Sequence, residues 1–197
     1  MKKISEKTLF DGQWLSVHEL VYHNKDGRPL VWESVRRKKL RVGVIVVARF
    51  KHSGQYILIK QYRPAINGYI LSFPAGLGDG DPAHALVELK EETGYQGKIT
   101  AVSPVLKTGA SLIDDNAYIV TVEVDEHLPE NRHPKQELED SEDIQVCLVG
   151  KDEGRDYLLK EAARGIHIAS NLWYVFGFLG DFARRVPRAR RKFESLE

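Results

Sequence analysis

Glu88, Glu91 and Glu92 fall within five residues of one another, in the run ELKEE. If that run is helical, Glu88 and Glu92 lie one turn apart on a shared face, and Glu91, three after Glu88, lies beside them. Like charges at these spacings repel by roughly 0.2–0.5 kcal/mol per pair, so the crowding brings nothing to the helix itself. Clustered carboxylates on a rigid rod are a set of hard oxygen donors. Mg²⁺ and Mn²⁺ take such donors and complete their shells with water and phosphate oxygens. An acidic triplet is also what an ordinary solvated helix face looks like, so the neighbouring sequence has to decide.

The helix that would carry the glutamates is marked at both ends. Asp81 can cap it, Pro82 suits its first turn, Gly94 ends it, and Leu86 and Leu89 give it an apolar stripe. A glycine-rich loop, Gly76 to Gly80, leads into it. Upstream, VGVIVVARF (42–50) is a near-continuous apolar run, as expected of a strand covered on both faces. His52-Ser53-Gly54 turns the chain, QYILIKQY (55–62) runs back, and GYILSF (68–73) is another short strand. Downstream, strands are expected near 98–106 and 116–124, then a long polar loop over 125–141 and a strand in EDIQVCLV (142–149). Two helices, over about 152–164 and 169–185, and a solvated basic tail, RRVPRARRK, close the chain.

Residues 8–40 read as an antiparallel β unit: a strand from Trp14 to Tyr22, a turn at Asp26-Gly27, and a returning strand in LVWESVRR. The basic run Arg36 to Lys39 reads as a solvated, hinge-like strand end. Strands with helices inserted late predict an α/β sandwich around a mixed sheet rather than a regular βαβ winding. The expected organisation is a small N-terminal β unit, 1–40, and a main domain, 41–197.

The bulk numbers fit this picture. The chain has 197 residues, 42% of them hydrophobic and 29% charged, with a net charge of +1. That is an ordinary soluble composition with no global basic field for nucleic acid. One cysteine, Cys147, sits in an apolar run and reads as a buried core thiol in a reducing, cytoplasmic compartment. The N-terminus has no signal-peptide core, and the longest apolar run falls far short of the roughly 20 residues a membrane span needs.

The stretch from Gly76 to Tyr95 resembles the Nudix box, G-x5-E-x7-R-E-U-x-E-E-x-G-U, where U is a bulky aliphatic. Its second half, ELKEETGY, matches almost completely. The resemblance extends to the ADP-ribose pyrophosphatase branch of that family through WESVRR (32–37), KQYRP (60–64), SFPAGL (72–77), GYQGKI (94–99), VSPVL (102–106) and SEDIQV (141–146), in that order. Two departures stand out. The span from Gly76 to Glu88 is three residues shorter than the pattern, leaving Asp79, Asp81 or nothing at the first Glu position. Val87 stands where the pattern has Arg, so Glu91, four residues on, loses its expected partner.

The resemblance implies a Nudix α/β/α sandwich and Mg²⁺-dependent hydrolysis of a nucleoside diphosphate linked to another group, with Mn²⁺ able to replace Mg²⁺. It implies metal binding by Glu88, Glu92 and the Ala75 carbonyl, with Glu91 as a shared or outer ligand and a catalytic candidate beside Glu142. Glu142 matches the late-loop general base, with Glu139 as the fallback. Trp14 and Trp32 match tryptophans that sandwich adenine, one from each subunit of a homodimer, with Glu33 and Arg37 lining the same pocket. Arg63 matches a diphosphate-binding arginine, and Leu77 a residue beside the substrate. The N-terminal unit is then the dimerisation and base-binding element. Two other readings stay open: a catalytically weak Nudix-fold sensor or scaffold that binds a nucleotide, and a Nudix enzyme acting on capped RNA or dinucleoside polyphosphates.

Overall fold

A computed structural model describes residues 1–39 and 42–177. The expected basic tail and the second half of the last expected helix fall outside these residues. So does the junction at 40–41 between the two expected units.

Three strands, β1 (Lys2–Asp11), β2 (Leu15–His23) and β3 (Pro29–Arg37), make an antiparallel sheet in that order. The N-terminal unit therefore has a strand that the reading from residue 8 missed. β1 is exposed along its whole length, and its sequence, KKISEKTLFD, carries no apolar alternation. Pairing holds it: Lys2 to Asp11 face His23 to Ser16 of β2, and Arg36 Nη1 and Nη2 donate to the two oxygens of Glu6 at 2.5 and 3.0 Å. The β2–β3 turn is built as expected, with Gly27 at φ 75° and Asn24 Oδ1 accepting the N–H groups of Asp26 and Arg28. The basic run is not simply solvated. Arg36 pairs with Glu6, Arg37 with Asp115 and Lys38 with Asp11.

The main sheet holds β4 (Val42–Phe50), β5 (Tyr56–Arg63), β6 (Gly68–Ser72), β7 (Ala75–Gly78), β8 (Lys98–Val102), β9 (Leu106–Lys107), β10 (Asn116–Val124), β11 (Ile144–Val149) and β12 (His167–Ile168). Its backbone order is β12-β6-β5-β4-β10-β8, with β11 also on β5, β7 on β4 and β9 on β10. β10 runs parallel to β4 and β12 parallel to β6; the other pairs are antiparallel, so the sheet is mixed. The expected strand over 98–106 is broken at Ser103-Pro104 into β8 and β9.

Helix α1 (His84–Thr93) covers one face and α3 (Gly154–Ala163) the other; a four-residue α2 (Pro129–Arg132) sits inside the loop expected over 125–141. β4 explains its own apolar run. Val44, Val46 and Ala48 join Ala85 and Leu89 of α1 in one core, while Ile45 and Val47 pack on a second core with Leu158 of α3 and Phe176. The second terminal helix appears as one turn, Ser170–Leu172, followed by a π turn over Trp173–Gly177. Cys147 is half-buried against the second core rather than inside it. No described helix is long and apolar enough to cross a membrane.

Candidate active site

β4 and β5 pair only at Ala48–Ile57 and Arg49–Tyr56 and then part. β7 takes the open side of β4, with Ala75 opposite Ile45, and β11 takes that of β5. Between the parted strands lies α1, which packs on β4, β7, β11 and β5. A cavity of about 350 Å³ opens there, lined among others by Gln61, Arg63, Ala75, Leu77, Glu88, Glu91, Glu92, Glu139 and Glu142. All three glutamates of ELKEE thus meet the late loop, the 60–64 motif and the 72–77 motif around one space.

The helix begins slightly later than expected. Asp81 caps the turn ahead of it, its carboxylate accepting Ala83 N–H at 2.8 Å and its carbonyl accepting His84 N–H at 3.1 Å. Asp79 accepts Asp81 N–H, and neither aspartate lines the cavity, so the first Glu of the pattern has no stand-in there. Gly94 ends the helix at φ 76°, its N–H on Lys90 O at 2.7 Å. The late loop is tied to this end of α1: Gln136 Nε2 donates to Glu92 O at 2.6 Å and to Ile144 O at 3.2 Å, and Glu137 N–H to Glu91 O at 2.8 Å. Glu142 rests on its own loop, its carboxylate accepting Glu139 N–H at 3.0 Å.

His84 stands one turn before Glu88, with Nε2 2.8 Å from Glu88 Oε1. A cation-capable side chain thus stands beside the first glutamate, while Val87 points outward, 44% exposed. Glu88 lies so close to β7 that a Cβ at Gly76 would overlap its carboxylate. Glu92 is 2% exposed, and its Oε2 accepts Ala75 N–H at 2.9 Å. Burial pushes its carboxyl up to about 8; the Ala75 N–H and Arg63 oppose the shift, while Glu88 and Glu142 add to it. Burial also raises Glu88, with His84 pulling the other way and Glu91 and Glu142 reinforcing it. The cavity therefore crowds carboxyl groups where burial disfavours their charge, and without a cation Glu92 keeps its proton up to about pH 8. Arg63 lines the same space and makes no ion pair among the described residues.

Gln61 carries a signal that residue spacing did not. It is 3% exposed, lines the cavity, and its Oε1 has no hydrogen-bond partner. His84 and Gly76 were also missed as contributors; the i,i+4 spacing of His84 to Glu88 was the available clue for the first.

The base-binding candidates sit apart from the carboxylates. A second cavity of about 260 Å³ is lined by Gln13, Trp14, Arg37, Lys38, Lys39 and Leu77, and Leu77 borders both cavities. Trp32 and Glu33 line neither. Trp32 Nε1 donates to Ser111 O at 3.0 Å, and the unbroken β2–β3 register puts Trp32 on the face opposite Glu33 and Arg37. Loop 107–115 joins the two sheets here, through Val35 N–H on Leu112 O and Arg37 Nε on Asp115 Oδ2 at 2.9 Å.

No family model matches the chain. Among proteins of known annotation it is 34% identical over 180 residues to an ADP-ribose pyrophosphatase of Saccharomyces cerevisiae, covering 86% of this chain and 78% of the relative. It is 34% identical over 179 residues to a nudix hydrolase of Caenorhabditis elegans, covering 85% and 80%. With an ADP-sugar pyrophosphatase of Mus musculus the identity is 33% over 159 residues, covering 76% and 73%. The crystal structure of an ADP compounds hydrolase superposes with a TM-score of 0.65 at 21% identity, covering 93% of this chain and 96% of the other, a likeness of fold.

Proposed function

The chain belongs to the Nudix hydrolase family, and we propose that it hydrolyses the diphosphate bond of ADP-ribose or a related nucleoside diphosphate sugar to a nucleoside monophosphate and a sugar phosphate. The observation that carries this reading is the meeting of Glu88, Glu92, Glu142 and Arg63 around one cavity, in a chain 34% identical to an ADP-ribose pyrophosphatase.

Glu88, Glu92 and the Ala75 carbonyl would hold divalent ions, Mg²⁺ first and Mn²⁺ in its place, with Glu91 as a shared or outer donor. The donors fit: all are oxygens, and a divalent cation offsets both the burial that raises Glu88 and Glu92 and the smaller repulsion from neighbouring carboxylates. When bound, such ions neutralise charge on the phosphate oxygens and make coordinated water acidic. Arg63 holds the diphosphate with its planar fork. Glu142 leaves the Glu139 N–H and takes the proton of the attacking water. The water oxygen bonds to one phosphorus, the bond from that phosphorus to the bridging oxygen breaks, and the bridging oxygen departs with the electron pair on the second product.

The base stacks on Trp14 beside Arg37, worth about 1–3 kcal/mol, and the diphosphate passes Leu77 to reach the carboxylates. Trp32 and Glu33 reach the base from a second chain, through a homodimer joined at the N-terminal sheet. The compartment that fits a single, free thiol is the cytoplasm.

The test is phosphate release by alkaline phosphatase after incubation with Mg²⁺ and ADP-ribose, ADP-glucose, UDP-glucose, GDP-mannose or a dinucleoside polyphosphate. Metal-dependent release from ADP-ribose or one nucleotide sugar is the expected result. Silence across the panel with nucleotide binding intact would sink the enzyme reading in favour of a nucleotide-binding module.

A further inference from the structure

The carboxylate cavity is not where the described residues bring three metal-capable side chains closest together. At the other end of β4, the ligand atoms of His52, Asp125 and His127 all lie within 4.8 Å of one another. The strand from Ile45, paired with Ala75 beside the cavity, to Phe50, two residues before His52, spans roughly 17 Å at about 3.3 Å per residue. We propose that His52, Asp125 and His127 form a binding site for a borderline transition-metal ion, Zn²⁺ first, which is separate from the carboxylate cavity and staples the β4–β5 turn to the end of β10.

Three observations support this. The donor types are the first. Two imidazoles and one carboxylate suit Zn²⁺, Ni²⁺ or Cu²⁺ and serve Mg²⁺ poorly, because Mg²⁺ keeps to oxygen donors. The spacing is the second. His52 Nε2 stands 3.2 Å from Asp125 Oδ1, and two ligands about 2.0–2.1 Å from a tetrahedral Zn²⁺ stand roughly 3.4 Å apart. The His52 and His127 rings are stacked at 4.1 Å and 12°, so His127 must tilt for its nitrogen to converge on the same point. That torsion is broad and soft for histidine. Water completes the fourth position.

The third observation is that the scaffold is held by bonds independent of the three ligand side chains. Glu126 accepts the N–H groups of His52 and Ser53, and Lys51 N–H donates to Val124 O at 2.9 Å. These bonds hold residues 51–53 against 124–126. Lys51 Nζ takes Asp125 Oδ2 at 3.1 Å, while Oδ1 accepts the His127 N–H at 3.1 Å and meets His52 Nε2 with its other lone pair. The Lys51 charge opposes a bound cation, and Glu123 and Glu126, both within its field, offset it. Ligands from residues 52 and 125 are distant in sequence, so an ion there closes a long loop and stabilises the folded chain by linkage.

The experiment titrates Zn²⁺ into the full, tag-free chain in excess Mg²⁺, which keeps the carboxylate cavity filled, and follows heat of binding and melting temperature. One Zn²⁺ per chain is expected, with Kd on the order of 10 µM or tighter and a raised melting temperature. His52→Ala and His127→Ala should each weaken binding at least about tenfold, while Glu92→Gln leaves it unchanged. The circular dichroism of each variant without Zn²⁺ checks its fold, and His127→Gln replaces any that misfolds. The absence of saturable binding below about 100 µM overturns the proposal. So does binding that survives both histidine variants, and so does binding lost in Glu92→Gln.

Discussion

Glu92 is a carboxylate enclosed by protein, with one backbone donor at 2.9 Å and the charges of Glu88 and Glu142 nearby. Its folded pKa of about 8 lies above the ordinary 4.5, and the sign of the consequence follows. Below about pH 4.5 both the folded and unfolded chains hold the proton and Glu92 costs nothing. As pH rises from there to about 8 the unfolded chain loses the proton while the folded chain keeps it, so stability falls, at about 1.4 kcal/mol per unit at most. In a chelator, Glu92→Gln should therefore melt higher than the parent, with a gap that widens between pH 5 and 8. With Mg²⁺ the same variant should lose several orders of magnitude in kcat. A melting gap that does not change with pH would show that Glu92 does not titrate in this range. Gln61 makes a parallel case. A buried acceptor without a partner costs about 1–3 kcal/mol. Gln61→Leu should raise the melting temperature and lower kcat by at least about tenfold; unchanged turnover would make Gln61 a packing residue only. The three glutamates were legible because their spacing sets them side by side on a helix and the motifs around them, in order along the chain, match one family. Gln61 was not, since its meaning lies in having no partner, which only the packed structure reveals.

At the scale of elements, α1 is where the departures from the box are resolved. His84 opens α1 and falls one turn ahead of Glu88, which it meets at 2.8 Å. Val87 is 44% exposed, and an arginine there meets no packing cost. It would lie one turn before Glu91. We expect Val87→Arg to raise Mg²⁺ affinity or kcat a few-fold, read from Mg²⁺ titrations of turnover. No change would mean that the short loop, with His84 on Glu88, already supplies the brace. Legibility followed burial here too. β4 could be read because both its faces are covered and its sequence is apolar throughout. β1 could not, because backbone pairing and the Arg36–Glu6 bridge hold a strand that packs neither face. The parting of β4 and β5, which makes the cavity, is a matter of register between strands and leaves no mark in either one alone.

The whole molecule raises the question of what the N-terminal sheet is for. It exposes Ile4, Phe10, Val31 and Trp32 by 48–60%, a set of large apolar side chains on the surface of three strands. Within one chain, Trp14 and Trp32 do not meet, because Trp14 borders the cavity at Arg37 and Leu77 while Trp32 reaches Ser111 across the opposite face of β3. A base sandwiched by both therefore needs a second copy of the chain. Val31 tests this cleanly. It is 60% exposed, so a charge there costs the single chain little, yet in a dimer seam it would be buried without a partner. The parent should sediment at twice the 22.4 kDa chain mass, and Val31→Asp as a single chain with an unchanged far-UV spectrum. If the base pocket is shared and the proposed carboxylates of one chain carry the chemistry, the KM of the variant for ADP-ribose should rise at least about tenfold while kcat stays within a few-fold. A parent that sediments as one chain, or a monomeric variant with parental KM, would return base recognition to Trp14 alone and leave the N-terminal sheet another role.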